Sequence, residues 1–138
     1  MEYADKGELT VFLNELIEAE RAGARVTLES ARGAGPGPLA ELMRSVQHDE
    51  ARWCAMLVRH VKALGENPSR ETGGFYHKAM AVVDLRERVA YLNRGQGWVV
   101  RKLREMLPRV SSDALRADLS EMLRSHETNI ELLNGVGR

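Results

Sequence analysis

Cysteine is nearly missing from this chain of 138 residues: Cys54 stands alone. No internal disulfide and no pair of zinc thiolates can form, and its place in an apolar run suits a small buried thiol. Proline is scarce too, at four residues, which leaves long unbroken stretches of Ala, Leu, Glu, Arg and Met, the residues that favour helices. Excess charge is missing as well. Lys and Arg number 20, as do Asp and Glu, so no global field steers the protein towards nucleic acid or an anionic membrane. No window approaches the ~20 apolar residues of a membrane span. The amino terminus, MEYADKGEL, has no basic start followed by an apolar stretch, so a cytoplasmic protein is expected.

What remains is a chain suited to a single domain over residues 1–138, long enough to bury one core. Punctuation divides it into four long helices. Asp5 with Glu8 three residues on is a capping-box start for a first helix reaching Arg32, ended by the glycines and prolines of residues 33–38. Pro38 suits the first turn of a second helix, which reads to Leu64 with Gly65 as its stop. The third is expected from Asp84 to Leu107, closed by Pro108; Phe75 to Val83 either joins it or forms a separate short turn. The fourth starts after Ser112, with Asp113 in its first turn, and stops at Gly135.

Each helix carries an apolar stripe with one polar member. In the third, Val82, Leu85, Val89, Leu92, Gln96, Val99, Leu103 and Met106 follow alternating steps of three and four. Gln96 interrupts it, flanked by Gly95 and Gly97, although glycine costs about 1 kcal/mol inside a helix; that spacing implies close backbone approach or distortion. The second helix offers Leu39, Leu42, Val46, Glu50, Trp53, Leu57, Val61 and Leu64, interrupted at Glu50. The first offers Leu9, Phe12 or Leu13, Leu16, Glu20, Gly23 or Ala24, and Thr27, interrupted at Glu20. In the fourth, Leu115, Leu119, Met122 or Leu123, His126, Asn129 or Ile130, and Leu133 put His126 and Glu127 at or beside the seam.

All four interruptions fall near mid-helix, which predicts one shared polar layer. An unpaired buried carboxylate carries a penalty of several kcal/mol, and two would repel. No Lys or Arg occupies the inward stripes. The compensation must be a metal ion, a proton shared by Glu20 and Glu50, or a protonated His126 with Gln96 closing the hydrogen bonds. Elsewhere the sequence excludes rather than suggests. The Gly-rich run from Arg32 to Pro38 lacks the Lys and Ser/Thr of a phosphate loop, no Gly-x-Ser-x-Gly occurs, and His48 and His77 are expected at the surface. Basic Arg86, Arg88, Arg94, Arg101, Lys102 and Arg104 and acidic Glu8, Glu15, Glu18, Glu20 and Glu29 read as complementary solvated faces.

Glu18 to Ala24, Glu-Ala-Glu-Arg-Ala-Gly-Ala, and Asp49-Glu50-Ala51-Arg52 resemble the stretches that carry metal ligands in the ferritin and rubrerythrin superfamily. The resemblance implies an all-α, antiparallel four-helix bundle with a crossover between the second and third helices. It also implies Glu on the first and third helices and Glu-x-x-His on the second and fourth. Glu20 and Glu50 match; Trp53 stands where the second helix should have histidine, Gln96 where the third should have glutamate. Glu127 matches the glutamate of the fourth, with Ile130 in the place of its histidine and His126 one residue before it. A full dimetal oxidase or iron-storage centre is therefore not expected. The expected role is structural or interactive rather than enzymatic, with no cofactor, self-association as a homodimer, and no nucleic-acid or membrane partner. The alternative is a metalloprotein or small oxidoreductase holding a single Fe, Mn or Zn ion through Glu20, Glu50 and His126, completed by Gln96, Glu127 or water.

Overall fold

The computed structural model describes residues 2–136, so the outermost ends of the expected 1–138 domain lie outside the described residues. Four long helices, α1 (Lys6–Ala34), α2 (Pro38–Ala63), α4 (Leu85–Met106) and α5 (Asp113–Val136), are joined by a short helix α3 (Phe75–Met80) and a 3-10 turn at Leu107–Arg109. Their starts follow the expected caps. Asp5 accepts from Glu8 N at 2.8 Å in a full capping box, Pro38 sits at the first position of α2, and Asp84 accepts from Glu87 N at 3.0 Å. Phe75 to Val83 takes the second of its two expected forms, a separate element, because Asp84 in extended backbone caps α4 independently.

Packing order reveals the topology. α1 packs on α2 and α4, and α5 packs on the same two, so α2 and α4 lie diagonally opposite. A simple up-down chain would make those two neighbours. Instead, the segment after α2 returns along the whole of α1: Glu66 pairs with Lys6 at 3.2 Å, the Ser69 amide donates to Asn14 at 2.7 Å, Arg21 donates to the Glu71 carbonyl at 2.6 Å, and the Tyr76 hydroxyl donates to Glu29 at 2.6 Å. From Lys6 to Glu29 is about 35 Å of helix at 1.5 Å per residue. Covering it with about ten residues requires a nearly extended chain. This is the crossover of a ferritin-like bundle, and it leaves α4 antiparallel to α1.

The core is split in two by the middle of the bundle. One apolar cluster gathers Leu13, Leu16, Leu57, Leu103 and Leu119; the other gathers Val26, Met43, Val46, Leu92 and Leu133. The expected stripes largely face inward. At the start of α2, however, Ala40 and Met43 are buried while Leu39 and Leu42 are only half-buried, because a straight 3.6-residue helix drifts away from a 3.5-residue seam. Cys54 is half-buried, and burial raises its thiol above the ordinary range, leaving little reactive thiolate. His48 and His77 are exposed, as expected. Among the described residues, no helix is long and apolar enough to cross a membrane.

Candidate functional site

Between the two apolar clusters lies a polar layer to which each long helix contributes one side chain. Glu20 of α1, Glu50 of α2 and Gln96 of α4 are each 2% exposed, and His126 of α5 is 1% exposed. Glu127 does not join them. Its side chain is 43% exposed and pairs with Arg104 at 2.6 Å, because adjacent residues on a helix point about 100° apart and the inward direction at this level belongs to His126. His126 therefore takes the inward place that the resemblance gave to Glu127, and Asn129, three residues on, is buried as well.

His126 is the hub. Its Nε2 lies 2.6 Å from Glu20 Oε1 and its Nδ1 lies 2.6 Å from Gln96 Oε1. With the amide oxygen facing the ring, Nδ1 donates to it; opposite an ionised Glu20, Nε2 donates as well, an arrangement that an imidazolium satisfies in full. Charge-assisted bonds of this length between buried groups are the strong kind. Of the three compensations open to the buried carboxylates, this geometry supports the imidazolium for Glu20.

Glu50 is handled differently. Burial first, then the neighbouring charges of Glu20 and Asp49, push its carboxyl well above the usual range. Among the described residues its Oε2 has no hydrogen-bond partner, nor does Gln96 Nε2. The carboxyl rests directly on the α1 backbone, where a Cβ built on Gly23 would meet Oε2 at 1.9 Å. Gly23→Ala is therefore expected to lose about 1–3 kcal/mol by overpacking, partly offset by the roughly 1 kcal/mol that alanine gains as a helix former. Thermal denaturation of Gly23→Ala with and without Glu50→Ala checks this, since the second change should remove most of the loss.

Gly95 answers the close approach expected beside Gln96. A Cβ there would lie 2.8 Å from the Phe75 ring, which comes from the first residue of α3 and stacks on Tyr91 at 5.3 Å between centroids. The crossover thus reaches the layer and closes one side of a cavity of about 270 Å³, whose walls include Thr72, Gly73, Phe75, Trp98, Val99 and the four polar residues. Phe75 and Trp98 were not legible as site residues. The first is non-local to every seam, and the second lies one step off the α4 stripe.

A dimetal centre of this fold draws on four glutamates and two histidines. The residues present do not fit it. Glu20 and Glu50 are two carboxylates, Gln96 is neutral, and both nitrogens of His126 are engaged. Trp53, where the second helix should have histidine, turns its indole N–H to Ser125 Oγ at 3.0 Å. Among the described residues, no cluster of three or more His, Cys, Asp or Glu side chains is arranged to hold a metal ion.

A family model described as a domain of unknown function, DUF6306, matches residues 7–134. No curated protein matches the chain. A solved structure described as a ferritin-like, diiron-carboxylate protein from Bacillus anthracis str. Ames superposes with a TM-score of 0.84 at 18% identity, covering 96% of this chain and 97% of the other. At that identity the likeness establishes the ferritin-like fold.

Proposed function

We propose, for a chain that belongs to the DUF6306 family, that it is a ferritin-like bundle whose dimetal site has degenerated into a self-satisfied polar layer, and that its role is structural or binding rather than oxidative. The observation that carries this reading is the engagement of His126 on both sides, by Glu20 and by Gln96 at 2.6 Å each. A metal would have to displace one of these bonds to reach an imidazole nitrogen. Charge argues the same way, because two divalent cations call for about four carboxylates and the layer supplies Glu20 and Glu50 alone.

Elemental analysis of protein purified without chelator, followed by anaerobic Fe(II) titration and oxygen uptake, tests the reading. Substoichiometric metal and no oxygen consumption above buffer are expected. Two ions per chain, lost in Glu50→Ala, would overturn it. A second reading, one Fe, Mn or Zn ion, is favoured by a single feature: Glu50 Oε2 is buried without a partner. It requires His126 to exchange its bond to Glu20 for the ion, and one equivalent of tightly held metal per chain would establish it.

A further inference from the structure

We propose that the mid-bundle cavity is a binding site for a small organic cation, its ammonium group set against the Glu50 carboxylate and its apolar body against Phe75 and Trp98. This rests on the reading that the layer is not a dimetal centre, and it adds the chemical class of the ligand. The cavity measures about 270 Å³, several times the roughly 30 Å³ share of one water molecule.

The sign of charge is set by the walls. Glu18, Glu20 and Glu50 line the cavity, and no Lys or Arg does. The single basic wall residue, His126, is already committed to Glu20 at 2.6 Å. With Glu20 compensated by His126, an anionic ligand would still meet the Glu18 and Glu50 carboxyls with no cationic wall residue left to offset them; a cation supplies the counter-charge that an ionised Glu50 lacks. The structural evidence for a ligand is the pair of buried polar atoms left without partners, Glu50 Oε2 and Gln96 Nε2, on residues that both line this cavity. Buried polar groups are almost always paired, so a molecule bound in this cavity would supply the hydrogen bonds that these two residues lack.

The two atoms also specify the ligand. A carboxylate accepts from an ammonium, whereas the Gln96 amide N–H donates and calls for an oxygen acceptor. An amine bearing a nearby hydroxyl therefore suits the site better than a plain amine. The remaining walls are apolar or aromatic. Phe75 is held in place by its seat over Gly95 and its stack on Tyr91, and aromatic faces attract organic cations. Burial and Glu20 disfavour an ionised Glu50; a bound ammonium offsets both.

Isothermal titration calorimetry on the full, metal-free chain tests this with four probes: benzylamine, 2-amino-1-phenylethanol, benzyl alcohol and benzoate. The amines should bind, 2-amino-1-phenylethanol the tighter, with benzyl alcohol at least about tenfold weaker and benzoate silent. Glu50→Gln, nearly isosteric, should weaken the amines by at least about tenfold. Ala19→Leu, which fills the cavity while sparing Glu50, should abolish binding with the helical circular dichroism unchanged. Equal binding of benzyl alcohol or benzoate, amine affinity unaltered in Glu50→Gln, or no amine binding at millimolar concentration would each overturn the proposal. None of these outcomes alters the metal analysis above, so the two readings fail separately.

Discussion

His126→Leu is expected to cost about 3–5 kcal/mol of folding stability, the usual loss when one partner of a buried ion pair is removed. The fall should appear as a lower urea midpoint with an unchanged slope. Glu20 is 2% exposed and its Oε1 meets His126 at 2.6 Å; without the ring it stays in the core uncompensated, and Gln96 loses its partner too. The same physics requires that the charge, and not the shape, is at stake. Glu20→Leu combined with His126→Leu should therefore recover most of the loss, because well-packed apolar replacements of a buried pair are often neutral or stabilising. A double variant as unstable as the sum of the single ones would show that Glu20 and His126 are not energetically coupled.

Glu50→Gln should move stability in the opposite direction, by an amount that grows with pH. The Glu50 carboxyl is raised well above its ordinary value of 4.5 by burial, by Glu20 and by Asp49. Below that value both folded and unfolded chains hold the proton, and the residue contributes no pH dependence. As pH rises past it, the unfolded chain releases the proton while the folded chain retains it. Stability then falls by about 1.4 kcal/mol per pH unit until the raised value is passed, where the penalty levels off. Gln carries no such proton, so this slope should vanish in the variant and the wild type should be the less stable of the two at neutral and alkaline pH. Urea midpoints of both proteins from about pH 4 to pH 9 measure it; parallel curves would mean that Glu50 is not raised.

Much of this architecture was legible without coordinates, and the reasons are local. Asp5 with Glu8, Pro38 and Asp84 satisfy helix ends through neighbours three or four residues away, so the starts of α1, α2 and α4 fall where the sequence places them. Glu20, Glu50, Gln96 and His126 interrupt their stripes at central positions, and the helical period alone turns them inward. Glu127 shows the limit. One residue beyond His126 at the edge of a seam, it fits either direction equally well until α4 is seen to offer Arg104.

Sequence alone thus determined the four rods, their starts and the four polar residues that meet at mid-height, since each follows from spacing within one helix. Only the tertiary structure decided that His126 bridges Glu20 and Gln96, that Glu50 rests on Gly23, and that Phe75 arrives over Gly95 from the crossover. His126 and Glu20 lie 106 residues apart. Which group compensates a buried charge is settled by neighbours brought in from distant chain, and no periodicity within a helix encodes that choice.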